Sequence, residues 1–222
     1  FNSLPNEFIF DDVPLVQNSL NVMNMGFLDL VTSYRPLRYL SYALDYRIFG
    51  MNPWGFRLMN IIYHSLTVIS LFWMLKVSGM SKRAAFIASI IFAIHPANTD
   101  SVAYISGRRD ILMGLFYVLS VGWFMKFYNG VAAVNRETVN REQKKPPITH
   151  ASRITHHPLR ITHHPSRITH HALPLLLSLI FMFLSISSKE MGATIPLIFV
   201  LYIIYKDGSK LFEKKWFYPA AM

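Results

Sequence analysis

The chain has 222 residues, 52% of them hydrophobic and 15% charged, with a mean hydropathy of +0.30; soluble domains carry about 25% charged residues, so the balance is that of a membrane protein. Cysteine is absent, which excludes disulfides, thiolate catalysis and Cys-ligated zinc. The net charge of +10 sits in a few short polar segments, which argues for membrane topology and against nucleic acid as a partner. The chain starts at Phe1 rather than Met and is expected to be a segment of a longer multi-span protein.

Residues 1–53 read as an external first loop. It opens with an adjacent carboxylate pair, Asp11 and Asp12, between apolar segments. Such a pair is loop punctuation, a metal ligand or a catalytic base. Within the same loop, "YRPLRYLSYALDYRIF" (34–49) intersperses Arg35, Arg38, Asp45 and Arg47 among apolar and aromatic residues. That pattern predicts an amphipathic helix lying in the membrane interface with its tyrosines and arginines at headgroup level. Arginine suits an anionic-lipid surface because its guanidinium matches phosphate geometry.

Residues 54–128 are expected to hold membrane spans and an external connection. A span takes roughly 20 apolar residues, and 54–76 and 110–128 pass. In the first, Arg57, Asn60 and His64 share one helical stripe that faces neighbouring helices, as interhelical contact or as cavity lining. The stretch 84–95 is short and ends at Pro96, and reads as a short or re-entrant crossing. After it comes "HPANTDSVAYISGRRD" (95–110), which gathers His95, Asp100, Arg108, Arg109 and Asp110. A guanidinium here can hold phosphate in a bidentate fork.

Residues 129–171 read as a disordered cytoplasmic insertion. Arg153, Arg160 and Arg167 recur with a seven-residue period, but Pro158 and Pro165 interrupt any helix and there is no apolar seam. Its histidine pairs could bind a metal, yet the tract falls on the wrong side to meet the acidic residues. Residues 172–205 form a hairpin of two apolar segments, 172–188 and 191–205, joined at Lys189 and Glu190. Residues 206–222 are a basic cytoplasmic segment.

Counting five crossings puts the three Lys/Arg-rich segments (76–83, 129–171 and 206–215) on one side, which the positive-inside rule makes cytoplasmic. Asp11, Asp12, His95, Asp100, Arg108, Arg109, Lys189 and Glu190 then share the other face. Ionisable groups at membrane depth are costly and usually serve a cavity or bundle interior. Their convergence is the pattern of a site.

These pieces resemble the multi-span glycosyltransferases of the GT-C type. The similarity is greatest to the transmembrane and tetratricopeptide-repeat O-mannosyltransferases and their bacterial relatives. The matching stretches are "FDD" followed by Asn18, "YRPL" (34–37), the Asn60…His64 helix, "FAIHPANTDSVAYISGRRDIL" (92–112) and "SKEMG" (188–192). They occur in the family's order and cover nearly the whole chain outside the His-rich insert. Three positions depart from the pattern: Asp100 stands where the family usually has Glu, Arg109 replaces a small residue, and Arg57 replaces a His.

The resemblance implies an all-α integral membrane bundle in which a sugar, mannose-like, passes from a polyprenyl-phosphate donor in the membrane lipid to an acceptor hydroxyl. The acceptor is a protein, through Ser or Thr, or a glycan. Transfer occurs on the non-cytoplasmic face, in a bacterial inner membrane the periplasmic one, by inverting displacement. It assigns catalytic carboxylates to Asp11, Asp12 and Asp100, and substrate binding to Tyr34, Arg35, Asn60, His64, His95, Arg108, Lys189 and Glu190. The chemistry suits those residue types independently. A hydroxyl needs a carboxylate to take its proton, and a phosphate leaving group needs cations. Paired carboxylates can also bind Mg²⁺ or Mn²⁺, although acidic ligands are few. A transporter or flippase using intramembrane charges is the competing class, with an inactive truncated scaffold as the third.

Overall fold

The computed structural model describes residues 7–9, 11–17, 33–143 and 165–213. Asn18, the His-rich tract from Lys144 to His164 and the basic tail beyond Glu213 lie outside the described residues. Those described form an all-α architecture of helices, turns and short connections. Val13–Gln17 makes one π-helical turn after the aspartate pair. The α-helices are α1 (Pro36–Phe49), α2 (Pro53–Val77), α3 (Lys82–Ile94), α4 (Thr99–Ala103), α5 (Arg108–Gln143), α6 (Pro165–Ser188) and α7 (Ile195–Glu213). Short 3₁₀ turns at Pro96–Asn98 and Glu190–Thr194 lead into α4 and α7.

Local chemistry sets the ends of these helices. The Asn52 side chain accepts the Trp54 N–H at 3.1 Å, and Pro53 follows at the first helical position, where its missing N–H costs nothing. Ser81 caps α3 by accepting the Ala84 N–H at 3.3 Å. Between α2 and α3 the chain reverses through Gly79 at φ 103°, a conformation that a side chain would strain.

Among the described residues, three helices are long and apolar enough to cross a membrane: Pro53–Val77, Arg108–Thr138 and Glu190–Gly208. Ala172–Ser188 is a shorter apolar stretch within α6. The sequence predicts five crossings, and the difference lies in the short ones. The 13 residues of α3 extend only about 20 Å at 1.5 Å per residue, short of the roughly 30 Å hydrocarbon core. Helix α5 differs the other way. Its 36 residues run past 128 to Gln143, into the segment expected to be an irregular insertion. Hydropathy falls there, but no proline interrupts the run before Pro146, and a helix outside the bilayer needs no apolar surface.

Helix α5 lies against α2, α6 and α7, and small or complementary side chains let it do so. Ser120 and Ser178, both fully buried, each donate a hydroxyl to the other's carbonyl at 2.9 Å. Small hydroxyl residues permit such close backbone approach between membrane helices. Gly122 seats the Trp73 indole, where an added Cβ would fall 2.3 Å from the ring. Phe124 stacks on Phe199 of α7 with ring centroids 3.9 Å apart.

The helix directions define two ends. Helices α2, α5 and α7 begin, and α3 and α6 finish, at the end that carries the polar connections. At the opposite end Asn129 donates to the Val77 carbonyl at 3.1 Å, and Tyr128 hydrogen-bonds Asp207. At the polar end the N-terminal segment is anchored by a core of Val16, Tyr42, Phe56 and Ile105, with Phe8 edge-on to Phe56 at 5.9 Å. That core holds Asp12 in place.

Candidate active site at the polar end of the bundle

The two aspartates of the N-terminal pair have different surroundings. Asp11 is exposed, whereas Asp12 is 0% exposed. Its Oδ1 accepts the backbone N–H of Ser106 at 2.8 Å, and its buried Oδ2 has no hydrogen-bond partner. The donor comes from the chain just before α5, which folds tightly because Gly107 has no Cβ. A Cβ there would sit 2.6 Å from the Ser101 carbonyl oxygen. Close backbone approach of this kind is what glycine permits.

Tyr42 donates its hydroxyl to the carbonyl of Ile105 at 2.8 Å, one residue before the Ser106 N–H that Asp12 accepts. Burial lifts the Tyr42 phenol far above its usual range; the Arg108 and Arg38 charges oppose that lift, and the Asp12 carboxylate adds to it. The phenol therefore stays protonated and serves as a fixed donor.

Arg108 is fully buried and its donors are taken. Nη1 lies 2.5 Å from Asp45 Oδ2. Nε donates to Asn60 Oδ1 at 2.7 Å, and Nη2 to the Phe56 carbonyl at 2.6 Å. Burial pushes the Asp45 carboxyl up, and Arg108 draws it back down. Asn60 is equally committed, since its amide donates to the Tyr104 carbonyl at 2.8 Å. Both were expected to bind substrate, but here they join α1, α2 and α5. Arg57 completes this wall, donating to the carbonyls of Ala103 at 3.3 Å and Glu7 at 2.5 Å. The stripe of Arg57, Asn60 and His64 thus faces neighbouring elements, with His64 bonded to the Ala93 carbonyl at 3.3 Å and stacked on Phe92.

A second cluster joins the α6–α7 turn to α1 and α5. Glu190 receives Arg35 Nη2 at 2.8 and 2.9 Å and Nε at 3.3 Å, with the Tyr34 hydroxyl at 3.3 Å. Arg35 carries φ 66°, unique among the described non-glycine residues. This left-handed conformation costs roughly 1 kcal/mol, and it begins the helix at Pro36 while its side chain reaches Glu190. Lys189 ion-pairs with Asp110, which Arg109 also approaches at 3.6 Å. Lys189 and Glu190, neighbours in the chain, have separate partners.

His64, His95, Asn98 and Thr99 line a third feature, an otherwise mainly apolar cavity of about 620 Å³ between α2, α3 and α4. His95 Nδ1 accepts the Ala97 N–H at 3.2 Å. Asp100 is exposed on α4. No group of three or more His, Asp or Glu that could hold a metal ion occurs among the described residues. The inward face of α1, with Arg38, Ser41, Tyr42 and Asp45 buried, escaped the sequence reading. Their i, i+3, i+4, i+7 spacing marks one stripe of a helix, but amphipathicity alone does not say whether a polar stripe faces headgroups or a packed site.

The geometry thus joins a carboxylate held by a backbone donor, a buried arginine cluster and two surface ion pairs at one end of a membrane bundle. The chain is 34% identical to mouse protein O-mannosyl-transferase TMTC1 over 136 residues, covering 53% of this chain and 14% of that protein. It is 43% identical to Xenopus laevis protein O-mannosyl-transferase tmtc2 over 95 residues, covering 42% and 11%. Mouse protein O-mannosyl-transferase TMTC4 is 34% identical over 124 residues, covering 50% and 16%. The chain therefore spans well under a fifth of the length of these relatives. No solved structure matches it. The family model for dolichyl-phosphate-mannose-protein mannosyltransferases matches residues 6–145, more than half of the chain and the part that carries Asp12, α1 and the Arg108 cluster: the chain belongs to that family of integral membrane proteins.

Proposed function

We propose that the protein acts as a membrane glycosyltransferase that moves mannose from a polyprenyl-phosphate donor to an acceptor hydroxyl, with protein Ser or Thr the acceptor class. Family membership supports the reaction class. One observation carries the reading to a residue: Asp12 is buried, one carboxylate oxygen is fixed by the Ser106 N–H, and the other is unpartnered. A general base needs that arrangement, one oxygen oriented and one left to take a proton. Asp11, exposed one residue earlier, lacks it.

In the proposed step the acceptor oxygen attacks the anomeric carbon as Asp12 Oδ2 removes its proton. The bond from that carbon to the phosphate oxygen breaks with its electron pair going to the phosphate, and the configuration inverts. Lys189 and Arg35, each partly exposed and each paired with a carboxylate, would border the phosphate side. His64 and His95 would border the cavity, and Asp100 its outer rim. The positive-inside distribution favours the non-cytoplasmic face, which in a bacterial inner membrane is the periplasmic one.

The test is transfer from a polyprenyl-phosphate mannose by the intact protein in membranes. Asp12→Asn should lower the rate by roughly 100- to 10,000-fold, the usual range for a general base, while Asp11→Asn changes it little. Equal losses in the two variants would remove Asp12 from the role, and unchanged rates in both would remove the base altogether.

A further inference from the structure

The peptide group that orients the Asp12 carboxylate has no regular secondary structure behind it. Ile105 and Ser106 lie in the bend between Ala103, where α4 ends, and Arg108, where α5 begins. The Ile105 carbonyl and the Ser106 N–H belong to one planar peptide unit, and in a trans unit they point in opposite directions. The carbonyl accepts the Tyr42 hydroxyl at 2.8 Å, and the N–H donates to Asp12 Oδ1 at 2.8 Å. Phenol, peptide and carboxylate therefore form one hydrogen-bonded chain. Tyr42, Ile105 and Asp12 are all 0% exposed, so water does not compete for it. Tyr42 reaches the carboxylate through the group that holds it.

The remaining bonds of this bend close turns. Gly107 N–H donates to the Tyr104 carbonyl at 3.2 Å, and Arg108 N–H to the Ile105 carbonyl at 3.1 Å. Turn bonds tolerate dihedral scatter of about 15–20°, enough to tilt an N–H against a fixed acceptor. The phenol restrains that tilt from the carbonyl side. Its ring is itself held, 6.2 Å from the Phe56 ring and with the Arg108 guanidinium carbon 4.8 Å from its centroid. Burial keeps the hydroxyl protonated, so its proton is available to the carbonyl. A donor on a carbonyl also polarises the peptide, strengthening the next bond in the chain by about 10–30%. A carboxylate is the acceptor that responds most to a stronger donor.

We propose that Tyr42 is a positioning residue of the transfer site: through the Ile105–Ser106 peptide it sets the direction of the Asp12 carboxylate, so that Oδ2 faces the acceptor hydroxyl. The assignment rests on the reading of Asp12 as general base. Tyr42 keeps its own proton throughout the step. The acceptor's proton goes to Asp12 Oδ2, the buried oxygen without a partner. Orientation at a reacting group is costly to lose, since a shift of about 1 Å lowers a rate on the order of 100-fold.

The experiment uses the intact protein in nanodiscs with two readouts, transfer from a polyprenyl-phosphate mannose and hydrogen exchange at the Ser106 amide. Tyr42→Phe removes one oxygen and keeps the ring. It should lower kcat by about 10- to 100-fold and change KM for the donor less than about twofold, because the phenol touches the peptide and not the substrate. Exchange at Ser106 should become faster. In an Asp12→Asn background the same substitution should cost nothing further in rate, since its effect passes through the carboxylate. An equal loss in both backgrounds, or a loss confined to KM, would make Tyr42 structural and overturn the proposal. Unchanged exchange at Ser106 would overturn it too. Rapid exchange there in wild type would do so even if Tyr42→Phe failed to fold. The failures are distinct. Full transfer by Asp12→Asn would remove the base and the role of Tyr42 with it. An inactive Asp12→Asn beside a fully active Tyr42→Phe would keep the base and remove the phenol alone.

Discussion

Arg108 is expected from the sequence to meet substrate, and the fold shows which protein groups surround it. The stretch "SGRRD" draws attention to a guanidinium between apolar segments, and the resemblance assigns it to substrate. In the fold it is a buried tie between α1, α2 and α5, with Asp45 as its counterion. Spacing along one segment cannot reveal that partner, because Asp45 lies in another helix. Arg108→Met would leave the Asp45 carboxylate buried without compensation, at an expected cost of ~3–5 kcal/mol. Adding Asp45→Leu should recover most of that loss, since replacing both members of a buried ion pair by apolar residues is often neutral. Thermal unfolding of the two variants in detergent checks this. A double variant no more stable than the single one would mean that the pair does not hold the helices together. The aspartate pair shows the converse. Sequence alone leaves Asp11 and Asp12 equivalent, and only the Ser106 N–H and the burial of one of them separate the two.

At the level of elements, hydropathy is informative wherever the physical cause is local. The α2 start at Asn52–Pro53 and the helix over 34–49 follow from nearby residues alone. The inward turn of Arg38 and Asp45 does not, because a polar stripe serves a headgroup layer and a buried site equally well. Helix α5 outruns its apolar segment for a related reason, hydropathy being a measure of solvent rather than of backbone. The connection before α5 is where an element can be tested without altering any charge. Gly107→Ala puts a Cβ 2.6 Å from the Ser101 carbonyl oxygen, backbone that cannot move aside as a flexible side chain can. The variant should displace the Ser106 N–H from Asp12, lose about 1–3 kcal/mol as overpacking usually does, and transfer mannose more slowly at temperatures where it is still folded. Wild-type transfer by a stably folded Gly107→Ala protein would show that this donor does not orient the carboxylate. Gly122→Ala is its control. It crowds Trp73 at the α2–α5 contact and should lower stability without changing the rate of the folded fraction.

For the whole molecule, a shared site requires that its residues lie in one compartment. The basic segments order the loops by charge, and the fold gathers the opposite connections at one end, where α2, α5 and α7 begin and α3 and α6 finish. The chain contains no cysteine, so single cysteines can be labelled with a membrane-impermeant thiol reagent without background. Asp100→Cys and Met191→Cys, exposed on α4 and in the α6–α7 turn, should both react in one compartment. Met80→Cys, exposed in the turn after α2, should react only from the other. The positive-inside rule further makes the first compartment the non-cytoplasmic one. Labelling of Asp100→Cys and Met191→Cys from opposite sides would separate the loops that carry Lys189 and Glu190 from those that carry Asp12 and Arg108. No shared site could then exist, because charges divided by some 30 Å of hydrocarbon cannot act on one bond.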